Sequence, residues 1–258
     1  MTLNTENRIW LLGCPIDNIS LKEAIAIIED SIKSRRPHQY IAINANKIVK
    51  LQKDARIREI LLKSDLNIID GQPLIWVSKL LGRPVKERFG GLDIMAAIIP
   101  IAAEKGYRVY FLGSKNNVVV SVVDKYKKLY PGLKITGWRN GYWTKQQEKE
   151  IVEKIKESNS DLLFLAISSP KKEIFLNNNL YQMNIPFVIG VGGAFDILAG
   201  HHTCKATDLY KTEAEAVIAA KDVVSRIEVL VLENKIEEPE EMDKATADTI
   251  KAVLPKQK

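Results

Sequence analysis

The fold of this 258-residue chain is constrained most strongly by a regular alternation of short apolar runs with longer amphipathic segments. The runs that predict strands are residues 8–12, 40–43, 66–69, 108–112, 133–138, 162–167 and 187–191. Strands that alternate with helical segments are typical of a parallel sheet with helices on both faces. Run 162–167 is wholly apolar, which predicts a central strand buried on both sides. We therefore predict an α/β fold whose ligand lies at the carboxyl ends of the strands.

Composition and patterning exclude several classes of protein. Apolar residues make up 46% of the chain and charged residues 27%, values typical of a globular protein rather than a disordered or collagen-like one. The longest apolar run, residues 94–103, has about half the length that spans a bilayer, and the first residues lack the pattern of a signal peptide. The two cysteines, Cys14 and Cys204, leave one bridge open but exclude a disulfide framework, so we expect a cytoplasmic protein.

Charge divides the chain into two predicted parts, residues 1–200 and residues 201–258. The first part carries 29 Lys and Arg against 20 Asp and Glu, a net charge of +9, and the second carries 9 against 12, a net charge of −3. A basic body suits an anionic partner such as a nucleotide or an anionic membrane face, although ordinary surface charge explains it equally well. Because the aromatic–basic motifs of nucleic-acid binding are missing, we expect no nucleic-acid partner.

The second part is predicted to be a helical C-terminal appendage. Residues 207–235 contain no Gly or Pro and are rich in Ala, Val, Glu and Lys. We favour a long helix that packs on the body or on a second copy of the chain, so we expect a homo-oligomer. The alternative is a helix lying on a membrane surface, which the many acidic residues on its polar face disfavour.

Several catalytic and cofactor motifs are absent from the sequence. The phosphate-binding G-x-x-x-x-G-K-[ST] loop and the dinucleotide G-x-G-x-x-G pattern are missing, which weakens an NTPase and an oxidoreductase. G-x-S-x-G is missing too, which argues against an α/β-hydrolase. Three histidines and two separated cysteines make a zinc site improbable, and no Asp-x-Asp pair is present to hold a nucleotide-bound metal. We therefore expect no metal site.

Asp70 is the first positive signal for chemistry. It follows the apolar run 66–69 and precedes Gly71, so the backbone can turn sharply and expose the carboxylate at the ligand edge of the sheet. A partly desolvated carboxylate in this position can act as a general base. The alternative is an Asp that caps the following helix, which begins near Gln72.

The basic segment 86–93 is the second signal. Arg88 precedes the pair Gly90-Gly91 and a predicted helix that contains Asp93 in its first turn. A guanidinium, a flexible backbone and a helix N-terminus together form a suitable site for a diphosphate. An ordinary solvated charge run before a helix is the alternative.

Three further strand ends carry polar or glycine-rich turns. Ser168 to Glu173 follow the apolar run 162–167, and their backbone N–H groups and lysines suit a phosphate or sugar hydroxyls. A capped helix with exposed lysines is the alternative. Gly190 to Asp196 include three glycines that permit close approach to a ligand. The candidate binding residues in these turns are Gly113, Ser114, Lys172, Glu173, Gly192 and Asp196. Asn44, which follows the run 40–43, and Gln72, Arg88 and Asp93, which follow Asp70, are the other candidate binding residues.

Taken together and in order, these segments resemble the WecG/TagA/CpsF family of bacterial glycosyltransferases. The resemblance covers about residues 8–200. The stretches that carry it are NANKIVKLQKD (44–54), LNIIDGQPLIWVSKLLGRPVKERFGGLDIM (66–95), VYFLGS (109–114), PGLKITGWRNGYW (131–143), SSPKKEIF (168–175) and GVGGAFDILAG (190–200).

The resemblance implies a Rossmann-like core and an inverting, metal-independent transfer without a cofactor. The implied donor is a UDP-sugar, and the acceptor is a polyprenyl-diphosphate-linked sugar at the cytoplasmic face of the membrane, where the protein would be peripheral. The best-known members transfer N-acetylmannosamine in the synthesis of wall teichoic acid or other surface glycans. The family's proposed general base corresponds to Asp70. Its Asn and Arg positions correspond to Asn44 and Arg88, and its P-K-Q-E block corresponds to residues 170–173.

The chain departs from the family pattern in three places. Lys172 stands where the family usually has Gln, and Ala42 stands where a Thr is often found. After residue 200 the chain continues as HHTCKATDLYKTEAEAVIAA instead of the family's R-A-P and Trp-Arg segment. The departures motivate an alternative, a UDP-sugar-binding assembly protein that has a replaced tail and no catalytic activity.

Overall fold

The computed structural model describes residues 7–200, and the predicted appendage over residues 201–258 lies outside them. A two-residue turn at Leu12 and Gly13 joins two antiparallel strands, β1 (Arg8–Leu11) and β2 (Cys14–Asp17). Both turn residues have positive φ angles, as this kind of tight hairpin requires. The run at residues 8–12 was predicted as one strand, and β2 was not predicted.

Six parallel strands form the main sheet, which confirms the predicted α/β class. In chain order they are β3 (His38–Ile43), β4 (Leu66–Ile69), β5 (Arg108–Gly113), β6 (Lys134–Arg139), β7 (Leu162–Ala166) and β8 (Phe187–Gly190). Their spatial order is β4-β3-β8-β7-β5-β6, and every neighbouring pair runs parallel. β7 is buried along its whole length between β8 and β5, as its apolar sequence predicts.

Helices cover both faces of the sheet. They are α1 (Leu21–Ser34), α2 (Ala45–Lys53), α3 (Ala55–Lys63), α4 (Gln72–Leu80), α5 (Gly91–Lys105), α6 (Asn116–Leu129), α7 (Glu148–Glu157), α8 (Lys171–Met183) and α9 (Ala194–Leu198). Alternate residues of each strand face opposite layers. Val109 and Phe111 pack with α5, α6 and α9, whereas Tyr110 and Leu112 pack with α7 and α8. No helix within residues 7–200 is long and apolar enough to cross a bilayer.

Local signals explain where two of the helices begin. The Ser-x-x-Glu pattern of Ser20 and Glu23 predicts a capping box, and the two residues form it at the start of α1. The continuous amphipathic pattern of residues 46–64 predicts one helix after β3, and that prediction is wrong, because the structure has two helices that meet at Asp54. The Asp54 side chain accepts hydrogen bonds from the backbone N–H groups of Arg56 and Ile57, so it starts α3 where α2 ends.

The order of the strands creates a crevice between β5 and β7. From β5 the chain proceeds through α6 to β6 on one side of the sheet, and from β7 it proceeds through α8 to β8 on the other. The two connections therefore diverge above the carboxyl ends of β5 and β7. In an open parallel sheet this is the position at which ligands bind.

Candidate functional site

A cleft of about 840 Å³ opens over the carboxyl ends of β5, β7 and β8. We call it the β5–β7 cleft. Its volume suits a ligand of nucleotide size. Four of the residues predicted to bind substrate line it: Ser114, Lys172, Gly192 and Asp196. The Ser114 hydroxyl donates a hydrogen bond to Asp196 Oδ2 at 3.0 Å, which joins the end of β5 to the start of α9 across the cleft.

The strand end at Gly113 shapes the cleft rather than lining it. Gly113 has φ +128°, and a β-carbon there would lie 2.4 Å from the carbonyl oxygen of Ala166 on β7. The next residue, Ser114, donates its backbone N–H to that same carbonyl at 2.7 Å. Only glycine permits this approach of β5 to β7, and the approach sets the direction in which Ser114 enters the cleft.

Aromatic side chains form one wall of the β5–β7 cleft. Tyr142 and Trp143 come from the segment that follows β6, and Tyr142 is among the most exposed aromatic residues of the described chain. Trp143 packs against Phe175 of α8 with ring centroids 5.3 Å apart, and the Arg139 guanidinium lies 5.8 Å from its ring centroid. A flat aromatic wall of this kind suits a nucleobase or the apolar face of a sugar.

Asp70 lies beyond the end of β4, at the same edge of the sheet as the cleft. Its backbone N–H donates to the carbonyl oxygen of Ile43 at the end of β3. Its side chain is 42% exposed and pairs with Arg88, with 3.9 Å between Asp70 Oδ1 and Arg88 Nη1. The Asp70 side chain accepts no hydrogen bond from residues 7–200, and α4 begins without a side-chain cap. The alternative of a helix-capping Asp70 is therefore wrong.

The electrostatic surroundings of Asp70 act in opposite directions. Burial of the carboxylate is the largest effect and raises the pKa of Asp70 above its usual value of 3.8. The cations of Lys47, Arg88 and Lys172 lower the pKa, and the neighbouring carboxylate of Asp93 raises it. The raised pKa makes Asp70 a stronger base than an exposed aspartate.

Three other predicted residues lie around Asp70. Asn44 caps α2, because its side-chain oxygen accepts from the backbone N–H of Lys47 at 3.1 Å. Asp93 accepts from the backbone N–H of Gly90 at 2.8 Å, which fixes the start of α5. Gln72 is the first residue of α4, and its side chain is exposed. Asn44 and Asp93 therefore fix the starts of α2 and α5, the helices that begin beside the Asp70 carboxylate.

Lys172 and Glu173 differ in what they face. Lys172 lines the β5–β7 cleft, and burial lowers its pKa to about 8. Glu173 is 3% exposed and faces inward, where its Oε1 lies 3.2 Å from Nζ of Lys47 and 4.0 Å from Nζ of Lys172. Glu173 therefore does not line the cleft, and its carboxylate faces the ammonium groups of these two lysines.

Most of the chain matches the model of one protein family. The model of the Glycosyl transferase WecG/TagA/CpsF family matches residues 9–205. The chain belongs to the WecG/TagA/CpsF family. The resemblance drawn from the ordered motifs is thereby confirmed, and every predicted site residue lies within the matched region.

Two curated relatives are similar to part of the chain. Both are named N-acetylglucosaminyldiphosphoundecaprenol N-acetyl-beta-D-mannosaminyltransferase. The relative from Bacillus spizizenii is 30% identical over 146 residues, which is 57% of this chain and 56% of the relative. The relative from Bacillus subtilis is 31% identical over 150 residues, which is 58% of this chain and 57% of the relative. The matches thus span little more than half the length of these relatives.

Some residues of this WecG/TagA/CpsF family member were missed by sequence reasoning. Tyr142 and Trp143 line the cleft, and the signal that could have found them is the aromatic pair after Gly141 at a strand end. Lys47 lies on α2 and is only 4% exposed, although a lysine in an amphipathic helix is normally solvated. No sequence signal marks it.

Proposed function

We propose that the protein is an inverting glycosyltransferase that moves a sugar from a UDP-sugar to a polyprenyl-diphosphate-linked sugar. One observation carries the proposal. The Asp70 carboxylate is partly exposed and accepts no hydrogen bond from residues 7–200, its pKa is raised, and cations surround it at the sheet edge that also holds the β5–β7 cleft. A base beside a cationic, nucleotide-sized cleft suits a transfer in which fixed charges stabilise the leaving diphosphate.

In the proposed reaction Asp70 removes the proton from the attacking hydroxyl of the acceptor sugar. The hydroxyl oxygen forms a bond to C1 of the donor sugar on the face opposite the nucleotide. The bond between C1 and the diphosphate oxygen breaks, and UDP leaves with the electron pair. The configuration at C1 is therefore inverted. General-base assistance of this type contributes about 10²–10⁴-fold to the rate.

The departing UDP gains negative charge, which cationic groups and backbone amides would stabilise. Arg88 lies beside Asp70, and Lys115, Lys171 and Lys172 line the cleft. The first N–H groups of α8 and the backbone around Gly192 add favourable dipoles. Among the described residues, no group of three or more His, Cys, Asp or Glu side chains is placed to hold a metal ion. We propose that the fixed cations take the role that a metal has in other transferases.

The substrates follow from the named relatives as proposals. We propose N-acetylmannosamine or a related hexose as the donor sugar and an N-acetylglucosaminyl diphospholipid as the acceptor, in the synthesis of wall teichoic acid or another surface polysaccharide. The acceptor would be met at the cytoplasmic face of the membrane by a peripheral protein. Self-association of the chain is part of the same proposal.

A donor screen tests the proposal. The full chain is incubated with a short-chain polyprenyl-diphosphate acceptor and, separately, UDP-N-acetylmannosamine, UDP-N-acetylglucosamine, UDP-glucose and UDP-glucuronate. We expect transfer from at least one donor, an inverted anomeric centre in the product and loss of transfer in Asp70→Asn. Calorimetric binding of UDP without transfer from any donor would favour the non-catalytic assembly protein instead.

A further inference from the structure

A buried cluster of three charged side chains lies beneath the floor of the β5–β7 cleft. Lys47 on α2 is 4% exposed, and Lys172 and Glu173 on α8 are 9% and 3% exposed. The proposed reaction assigns no task to Glu173 or Lys47. Charged side chains are seldom buried to this extent unless they are paired, so the pairing within the cluster is informative.

The charges of the cluster do not cancel. Lys47 is well partnered, because its Nζ lies 3.2 Å from Glu173 Oε1 and also donates to the carbonyl oxygen of Ala42. Lys172 Nζ is 4.0 Å from the same Glu173 oxygen and makes no hydrogen bond with residues 7–200. Two ammonium groups therefore share one carboxylate, and the excess positive charge resides on Lys172.

Two glycines determine where the Lys172 ammonium lies. A β-carbon at Gly190 would be 2.7 Å from Cδ of Lys172, and a β-carbon at Gly192 would be 3.3 Å from its Nζ. The lysine stem therefore crosses the end of β8 where side chains are absent. Its ammonium ends beside Gly192, which lines the cleft.

The carboxylate of Glu173 is aimed into the protein rather than into the cleft. Neither of its oxygens accepts a hydrogen bond from the described residues, so the ion pair with Lys47 at 3.2 Å is a charge contact without hydrogen-bond geometry. An adjacent cavity of about 10 Å³, lined by Gln39, Tyr40, Lys172 and Gly190 among others, is close to the minimum size for one water molecule. Such a carboxylate is costly to bury unless it balances nearby cations.

We propose that Lys172 binds an anionic group of the sugar nucleotide and that Glu173 is a positioning residue, which pairs with Lys47 and holds the Lys172 ammonium at the cleft floor. The inference rests on the proposed function only in taking a sugar nucleotide as the ligand. Two anions have the required chemistry, the diphosphate of the donor and the carboxylate of an acidic hexose. Either anion would give the Lys172 ammonium the close, oppositely charged partner that Glu173 does not provide at 4.0 Å.

The charge state of Lys172 makes the proposal measurable. The pKa of Lys172 is lowered to about 8: burial is the largest cause, the charges of Lys47 and Lys50 also lower the pKa, and those of Glu173 and Asp70 raise it. These are the charged groups that face it from α2, from α8 and from the end of β4. A bound anion requires the ammonium form, so affinity falls as the pH rises through the pKa of Lys172. Between pH 7 and pH 9 we expect a loss of about tenfold.

Calorimetry on the full chain tests the proposal with UDP, UDP-glucose and UDP-glucuronate at pH 7 and pH 9. We expect Lys172→Gln to weaken binding at pH 7 by about tenfold and to remove the difference between the two pH values. Lys149→Gln is the matched control, because it removes the same charge from an exposed position on α7. Titration of the nucleotide itself is common to all variants and cancels in the comparison.

The three ligands distinguish the two anions. If Lys172→Gln weakens the binding of all three ligands, Lys172 binds the diphosphate. If it weakens the binding of UDP-glucuronate alone, Lys172 binds the sugar carboxylate. Glu173→Gln should weaken binding at pH 7 by less than Lys172→Gln does and move the loss of affinity to lower pH, because Glu173 raises the pKa of Lys172. A merely structural role would lower the melting temperature without moving the pH profile.

The proposal is overturned if Lys172→Gln behaves like Lys149→Gln with every ligand, or if the wild-type chain binds none of the three. Its failure is distinct from failure of the proposed function. Binding that depends on Lys172, without transfer to any lipid acceptor, retains the anion site and rejects the transferase. Transfer that is indifferent to Lys172→Gln retains the transferase and rejects the anion site.

Discussion

Gly90 lies directly against Asp70, so closely that a β-carbon at position 90 would come within 2.4 Å of Asp70 Oδ1. The φ angle of Gly90 is −123°, which any residue adopts, so glycine is needed here for space and not for backbone conformation. The backbone N–H of the preceding residue, Phe89, donates to the carbonyl oxygen of Ile69, the residue before Asp70. This hydrogen bond holds the segment Arg88–Gly90 against the end of β4, and the segment packs against one side of the Asp70 carboxylate.

Gly90→Ala tests whether this contact sets the position of Asp70, the proposed base. The added methyl group displaces the Asp70 carboxylate, and we expect turnover to fall by about 10–10²-fold while donor affinity stays near that of the wild type. Steady-state kinetics with a synthetic lipid acceptor measure the effect. Gly132→Ala is the control, since a β-carbon there is 3.4 Å from the nearest atom and lies in a turn before β6. Equal turnover in the two variants would contradict the assignment.

Asp70→Asn is expected to lower the rate of transfer by about 10²–10⁴-fold and to leave UDP-sugar binding in place. The same change should raise the melting temperature at pH 7. Because burial raises the pKa of Asp70 in the folded state, the ionised form is less favourable there than in the unfolded chain, and a neutral amide removes that penalty. Calorimetry and thermal unfolding measure both effects. Wild-type turnover, or a clear loss of stability, would contradict this account of Asp70.

The sequence predicted the sheet and its functional edge well, because both depend on local patterns. Asn44, Asp70 and Ser114 were expected at strand ends, and each lies just beyond β3, β4 or β5. Hydrophobic periodicity identifies a strand, and the residue that ends the strand must lie at one edge of a parallel sheet. The predicted catalytic and binding roles of these residues remain predictions.

The features that the sequence did not predict depend on contacts between distant residues, or on a capping residue that interrupts a continuous helical pattern. Glu173 and Lys47 are 126 positions apart, so their buried pair has no signature in either helix. The break between α2 and α3 came from Asp54, whose capping bonds outweigh the continuous amphipathic pattern on both sides. The exposed wall at Tyr142 and Trp143 arises from a loop, where periodicity carries no information.

Asp161 directly precedes β7, at the amino ends of the strands and away from the cleft, so its substitution should affect stability alone. Its carboxylate is 8% exposed, accepts three hydrogen bonds from Arg108 and pairs with Arg35. Burial raises the pKa of Asp161, but the bonds and charge of Arg108 outweigh burial, and the pKa is lowered overall. We expect Asp161→Asn to lower the free energy of unfolding by about 2–3 kcal/mol at pH 7.

The pH dependence follows from the sign of that shift. A carboxylate with a lowered folded-state pKa stabilises the protein above its unfolded pKa of about 4, and the stabilisation is lost as the pH falls through the folded-state value. Denaturant unfolding should therefore show a large difference between the variant and wild type at pH 7 that shrinks toward pH 3. Glu153→Gln, which removes an exposed pair with Lys156, is the control and should change stability by less than about 0.5 kcal/mol.

Transfer is expected to continue in the presence of EDTA. The proposed stabilisation of the leaving diphosphate uses Arg88, the lysines of the cleft and the N-terminus of α8, none of which a chelator removes. Rates with EDTA and with added Mg²⁺ or Mn²⁺ should agree within about twofold. A strict requirement for a divalent metal would contradict the proposed reaction, and dialysis against EDTA followed by metal addition measures it directly.

Arg88→Gln should change the pH dependence of transfer as well as its rate. Arg88 Nη1 lies 3.9 Å from Asp70 Oδ1, and its charge is one of those that lower the pKa of Asp70. Without that charge the pKa of Asp70 rises further, so the acidic limb of the profile of kcat/KM against pH moves to higher pH. Both ends of this pair are more than a third exposed, so the movement should be small, while the loss of the proposed diphosphate contacts should lower kcat/KM by about 10–10²-fold. Arg88→Lys is the control. It keeps the charge and should restore the position of the acidic limb, although it cannot reproduce a bidentate contact.

An acidic limb that stays in place in Arg88→Gln would show that the guanidinium acts on the donor alone and does not alter the pKa of Asp70.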